Sequence, residues 1–225
     1  MLSGVCWLIF TYIVYRGVKG LYRAYPKIYL TPLLVTPAIV ITVLELSDVK
    51  FDEYDQGAHL LSDMVEPATI ALAVTLYRHL DALKRNALAI LAGAGTGAIA
   101  AIISSAGLAW LLGLKPELVN SLAPRSATTP IAIAVSGTTG GVLTITAVAT
   151  LITGVLGLII GPLIVRWFRI ENPVGRGILF GTGSHAAGIT KALEYDAMTG
   201  SVAAVAMIFT AFITLLATPW LLSLI

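Results

Sequence analysis

Charge is what this sequence has least of. Only 12% of its 225 residues are Asp, Glu, Lys or Arg, 14 basic against 12 acidic, while 57% are hydrophobic. Counting the 21 glycines, the apolar share is about 66%, against roughly 45–50% in soluble domains. An ordinary cytosolic protein is excluded, because its surface would need about twice as many charges; the mean hydropathy of +0.91 agrees. A net charge of +2, with no basic run interleaved with aromatics, excludes a nucleic-acid partner. One cysteine, Cys6, allows neither an internal disulfide framework nor a Cys-based metal site. The expected surroundings are a lipid bilayer, and the length allows about six to eight spanning segments with no separate soluble domain. The first apolar run lacks a basic n-region, a small-residue cleavage site and any Arg-rich or Ser-rich transit segment, and Arg16 and Lys19 follow it. It reads as a retained span with its N-terminus outside, in a multi-pass protein of a prokaryotic plasma membrane.

Uncharged runs at 28–44, 64–77 (interrupted by Glu66), 86–114, 126–165 and 197–225 are the membrane candidates. Residues 16–27 carry Arg16, Lys19, Arg23 and Lys27 with no acid, whereas 45–66 hold seven acidic residues against Lys50. By the positive-inside rule the first loop is cytoplasmic and the second external, and Arg78, Lys84 and Arg85, then Arg166, Arg169 and Arg176, mark further cytoplasmic turns. As one helix, the uncharged stretch from Ser126 to Val165 would be roughly 60 Å long, twice the ~30 Å hydrocarbon core. If 87–112 runs outward and 142–165 returns, residues 117–141 must begin and end outside. They are expected to form a re-entrant hairpin or broken helix pair, with Pro124, Pro130, Gly137, Gly140 and Gly141 as breakers.

A second such element is expected at 174–200, which is punctured by glycines and too polar for a lipid-facing helix. It starts at cytoplasmic Arg176 and so enters from the opposite face. Two such elements meeting near the midplane are the pattern of an alternating-access transporter. The fold class is therefore all-α: a polytopic helical membrane protein with broken or re-entrant helices, in the manner of an internal-repeat transporter. One integral membrane domain, 1–225, is expected, with scaffold helices 2–15 and 28–46 and spanning helices 87–112, 142–165 and 201–225. Its breaker-rich transport elements are 57–77, 117–141 and 174–200, the first including a half-helix over Pro67 to Tyr77. Residues 68–74 (ATIALAV) echo 129–135 (TPIAIAV) at four of seven positions, which allows a repeat without saying whether it is parallel or inverted.

Some polar residues are not explained by this topology. Arg125 stands in Pro124-Arg125-Ser126-Ala127-Thr128-Thr129-Pro130, and an Arg at membrane depth costs roughly 2.5–3.5 kcal/mol or more unless paired or facing water. It reads as a ligand for a small carboxylate, assisted by the Ser126, Thr128 and Thr129 hydroxyls and by N–H groups of a half-helix beginning near Pro130. The structural alternative is an Arg that snorkels to the outer interface or pairs with Glu117. Gly181-Thr182-Gly183-Ser184-His185-Ala186-Ala187-Gly188 combines exposed backbone with Thr182, Ser184 and His185, which suits an oxyanion. Its match to G-x-G-x-x-A is not a dinucleotide site, because no strand precedes it. Adjacent Ser184 and His185 side chains diverge, which argues against a hydrolase dyad and against an enzyme. His185 suits a proton carrier or a substrate hydrogen-bond donor, or else a satisfied structural histidine.

Gly137-Thr138-Thr139-Gly140-Gly141 reads as the exposed tip of the first hairpin or as a plain interfacial turn. Gly93 with Gly97, and Gly157 with Gly161, have the spacing of close helix packing. Ser104 and Ser105 are expected to bond back to their own helix. Lys191, with Glu194 and Asp196, is a substrate or proton site, or the polar end of a hairpin where Lys191 and Glu194 neutralise each other. No His, Asp and Glu set has metal-ligand spacing, so neither a metal nor another cofactor is expected.

These motifs resemble the LrgB/CidB family, the larger membrane partner of the LrgA/CidA holin-like proteins. The resemblance covers about residues 25–220 and rests on Glu66-Pro67-Ala68 to Tyr77, on Pro124 to Ala132 with Gly140-Gly141, and on Gly181 to Gly188. Thr75 and Ile189 depart from it, where a proline and a hydroxyl residue are expected. It implies a plasma-membrane protein linked to murein hydrolase export, programmed lysis and transport of small monocarboxylates; plastid relatives resemble glycolate/glycerate carriers, and bacterial ones are associated with pyruvate. The expected function is a carrier of small monocarboxylates working by alternating access, or alternatively an antiholin-like regulator of a holin-like partner that controls murein hydrolase activity and lysis. Substrate binding is expected of Arg125, Ser126, Thr128, Thr129, Gly140, Gly141, Thr182, Ser184, His185 and Lys191. The expected partners are the small carboxylate, the bilayer, a small LrgA/CidA-like membrane protein, and a second copy of the chain in a homo-oligomer, as a dimer.

Overall fold

The computed structural model describes residues 2–25, 27, 30–64, 67, 74 and 77–224. These are helical with no strand among them, the all-α class that composition implies, and the chain falls into two units, Met1–Val74 and Thr75–Ile225.

The first unit holds α1 (Leu2–Ala24), α2 (Pro32–Leu46) and α3 (Phe51–Asp63). The basic stretch read as a loop from residue 16 instead continues α1 to Ala24. Arg and Lys are good helix formers, and Arg23 in the last turn complements the helix dipole. α3 packs on α1 where Gly57 meets Gly4 so closely that a side chain at Gly57 would run into the Gly4 carbonyl. Trp7 sits edge-on to Tyr54 at 6.4 Å, and the Tyr54 hydroxyl lies 3.2 Å from Thr11 Oγ1. Most of the expected half-helix over Pro67 to Tyr77, including residues 68–73 and Thr75, lies outside the described residues.

The second unit runs through α4 (Leu80–Arg85), α5 (Ala87–Leu111), α6 (Pro116–Leu122), α7 (Thr129–Thr139), α8 (Leu143–Trp167), α9 (Pro173–Tyr195) and α10 (Ala197–Leu222). Among the described residues, α5, α8 and α10 are the helices long and apolar enough to cross a membrane. At 25 or 26 residues, each is about 38 Å long, enough to pass the ~30 Å core with a turn to spare. α6, α7 and α9 each begin with a proline in the first turn, where its missing N–H costs nothing.

Two apolar clusters fix the order of the long helices. Ile90 and Ala94 of α5 pack with Val174 of α9 and with Val202 and Ala206 of α10. Further along, Ile102, Ala106 and Ala109 of α5 pack with Val119 and Ala123, against Ala217 and Leu221 of α10. Early residues of α5 thus meet early residues of α10, and late meet late, so the two helices run parallel. The connections between them leave room for two fold-backs, which build the site.

Candidate functional site

The first fold-back is α6 and α7. α6 returns along the end of α5, where Ser105 Oγ donates to the Ala123 carbonyl at 3.4 Å. The chain then turns through 123–128, and α7 runs back beside α6, with Asn120 Nδ2 donating to the Thr139 carbonyl at 2.6 Å. At its open end Gly140 adopts φ 79°, a left-handed conformation that glycine takes without steric cost, and Gly141 packs against Ser136 and Asn120. Ser121 Oγ accepts from the Val142 N–H at 2.7 Å and closes this end. Of the two readings of Gly137 to Gly141, the plain turn is the one found: Gly140-Gly141 forms the joint between α7 and α8, and the tip is the Pro124 to Thr128 segment.

The second fold-back is inside α9. At His185 the backbone takes φ 42°, ψ −133°, which breaks the helix into arms 173–184 and 186–195. The arms double back on each other: Gly188 meets the Phe180 backbone, and the Phe180 and Tyr195 rings lie 5.7 Å apart. The first arm runs beside α8 in the opposite sense, with Phe180 against Gly161, Ser184 against Gly157 and His185 against Gly154. It also runs parallel to α5, with Ile178 against Gly93 and Thr182 against Gly97. Glycine at these positions lets a hairpin pack flush on two long helices. The open end is held by Arg176, whose Nε donates to the Ile170 carbonyl at 2.6 Å and whose guanidinium lies 5.1 Å from the Tyr195 ring. Asp196 then caps α10, accepting from the Thr199 N–H and hydroxyl at 2.7 Å each. Its carboxyl is partly buried, which works against its charge. The Thr199 and Met198 groups and the Arg176 guanidinium outweigh that and hold it below the usual carboxylate range.

The two hairpins open at opposite ends of α8, and their tips reach the same turn of it. Arg125 Nη1 donates to Thr153 Oγ1 at 3.2 Å, while His185 Nε2 lies 3.0 Å from the Thr150 carbonyl. Arg125 is half-buried and, among the described residues, has no ion-pair partner; Glu117 does not reach it. The hydroxyls of Ser126, 2% exposed, and Thr182, 8% exposed, have no hydrogen-bond partner among the described residues. Arg125, Ser126 and Thr182 line one cavity of about 610 Å³ that is broadly open on one side. Its remaining wall is the small-residue face of α5, from Gly93 to Ser104, and the Gly175 to Gly183 side of the second hairpin.

Of the residues expected to bind substrate, Arg125, Ser126 and Thr182 therefore share a cavity. Ser184 and His185 sit beside it at the second tip, turned toward α8. Thr128 ends the first tip as the N-cap of α7, and Thr129 is the first residue of that helix. Gly140 and Gly141 are at the far end of that hairpin. Lys191 is on the second arm, 2.5 Å from Glu194, which is the neutralised pair that their spacing allows. Sequence reasoning missed Thr150 and Thr153, which seat both tips. Thr146, Thr150 and Thr153 form one helical face in an otherwise apolar run, and that spacing was the available signal. Among the described residues no three His, Cys, Asp or Glu side chains gather into a metal site.

No solved structure matches this chain. Protein YwbG of Bacillus subtilis (strain 168), described as uncharacterized, is 44% identical over 99% of each chain. Antiholin-like protein LrgB of Bacillus cereus (strain B4264) is 33% identical over 84% of this chain and 82% of its own length. A model of the LrgB-like family matches residues 11–224, nearly the whole chain. With the long apolar helices, this makes the chain a multi-pass plasma-membrane protein that belongs to the LrgB-like family.

Proposed function

We propose that the unit Thr75–Ile225 carries small monocarboxylates across the membrane by alternating access. The observation that supports this best is the meeting of two oppositely directed hairpin tips on one turn of α8, beside a guanidinium with no described counter-ion and two unpartnered hydroxyls. An isolated cation and orphaned hydroxyls at membrane depth are costly, and an anion offsets both. In this reading Arg125 grips the carboxylate, Ser126 and Thr182 donate to it, and the start of α7 at Thr128 and Thr129 adds N–H groups. His185 and Ser184 hold the opposite tip in register. The basic clusters support an orientation with the open end of the second hairpin in the cytoplasm and that of the first outside. Gly140, Gly141 and Lys191 have no part in the site so drawn. The test is uptake of labelled pyruvate, glycolate and glycerate into proteoliposomes; uptake that survives both Arg125→Ala and His185→Ala would sink the assignment.

The comparisons favour a second reading over transport. The Bacillus cereus relatives carry the name antiholin-like, which supports a role in restraining a holin-like membrane partner and, through it, murein hydrolase activity and lysis. In this case the partner is a small LrgA/CidA-like protein, and self-association as a dimer would present two copies to it. Tight co-purification with such a partner, with no substrate-dependent uptake or thermal shift, would establish this reading in place of the first.

A further inference from the structure

The cavity is larger than a three-carbon acid requires, and its chemistry is graded along its length. Its lining runs along α5 from Gly93 to Ser104, about 16 Å, whereas pyruvate has only six non-hydrogen atoms. The contacts along α5 give the order of the wall. Ile178 faces Gly93 and Thr182 faces Gly97, and Ser105, next to the lining Ser104, reaches the first tip at Ala123. The polar groups Thr182, Ser126 and Arg125 therefore gather at the tip end. Toward the base of the second hairpin the wall is Gly93, Ile178, Leu179 and Gly175, with no ionised group among the described residues. The apolar part from Gly97 to Gly93 is one helical turn, about 6 Å long.

Within the carboxylate-site reading above, we infer that this cavity takes a 2-oxo or 2-hydroxy monocarboxylate bearing an aliphatic chain. The graded wall admits about four to six carbons in all beyond the carboxylate. Arg125 offers a fork of donors to the carboxylate. Ser126 and Thr182 are two further buried hydroxyls without partners, more than one carboxylate engaged by the fork needs, and an oxygen on the second carbon gives them an acceptor. The chain then lies along Gly97 and Gly93 against Ile178 and Leu179, where apolar area leaves water. The one ionised group among the described lining residues, Arg125, matches one negative charge, so a second carboxylate in the apolar part would be left unpaired.

Calorimetric titration of the full chain in lipid nanodiscs tests this separately from transport. 4-Methyl-2-oxopentanoate, with three more carbons than pyruvate, is expected to bind roughly ten- to fiftyfold more tightly, according to how much of the added chain leaves water. Succinate is expected to bind more weakly than pyruvate. Arg125→Ala should abolish binding of every acid, and Leu179→Ser should narrow the gap between the longer and the shorter one. Equal or weaker binding of 4-methyl-2-oxopentanoate, or no binding of any acid, overturns the inference. Tighter binding of decanoate also overturns it, in favour of a lipid-derived acid. Uptake of pyruvate without chain preference would leave the transport reading standing while this one fails; chain-selective binding without uptake would do the reverse.

Discussion

His185 and Thr150 are joined across the middle of the second unit: the imidazole Nε2 lies 3.0 Å from the backbone carbonyl oxygen. A carbonyl can only accept, so Nε2 carries the hydrogen, and any further proton must go to Nδ1. The backbone of His185, at φ 42°, occupies a region costly for a side-chain-bearing residue, about 1–3 kcal/mol, so the contact holds the turn against its local preference.

His185→Ala keeps the strained backbone and loses the bond. It is expected to destabilise the protein by about 1–3 kcal/mol, and His185→Gly, which relieves the strain, by less. Thermal unfolding in nanodiscs gives the order, and an alanine variant more stable than the glycine variant would contradict it.

Arg125 takes its direction from Thr153, whose Oγ1 accepts its Nη1 at 3.2 Å. Lysine cannot reproduce a planar fork, so Arg125→Lys should lower uptake about tenfold while leaving the fold intact. Thr153→Val preserves shape and removes the acceptor. A severalfold rise in KM with little change in kcat is expected, since the guanidinium remains but is no longer aimed; an unchanged KM would remove Thr153 from the site.

Gly181 and Gly183 are two residues apart on the same arm, yet they differ in their surroundings. A side chain at Gly181 would overlap the Ala203 carbonyl of α10, whereas nothing lies within 4 Å of one at Gly183. Gly181→Ala is therefore expected to cost about 1–3 kcal/mol, because backbone must move, and Gly183→Ala to stay within about 0.5 kcal/mol. Equal melting temperatures for the two variants would contradict the packing of this arm on α10.

Asp196 connects the second hairpin to α10. Removing its cap by Asp196→Ala should cost about 0.5–2 kcal/mol. Because the folded carboxyl titrates below its ordinary value, its contribution is fully present above the unfolded pKa of about 3.9 and fades as pH falls through the folded value. The stability gap between the native protein and Asp196→Ala should thus be flat from neutrality to about pH 5 and close below about pH 4. A gap that widens on acidification would reverse the sign and refute the assignment.

The class of fold was legible because it depends on quantities that a linear chain displays: scarce charge, uncharged run length, and the sorting of basic clusters. Segment ends were less so. Arg16 and Lys19 mark a membrane side but do not stop a helix, and α1 passes through them. At the site, Arg125 and the Gly181 to Gly188 stretch attract notice because each is expensive or permissive in a bilayer. The turn at His185 was not legible, because histidine is no helix breaker; packing against Gly154 and Thr150, 31 and 35 residues earlier, forces its backbone over. Nor was the role of Thr150 and Thr153, since threonines in apolar helices commonly bond back to their own carbonyls, as both of these also do.

Thr150 and Thr153 belong to a single turn of one helix, and the hairpins they seat point in opposite directions. If α8 slides along its axis, both seats travel the same way, toward the base of one hairpin and away from the base of the other. One fold-back would be shortened by the stroke that draws out its counterpart. Such an arrangement is an interlock: because both tips are seated on one turn, neither shifts along α8 without the other.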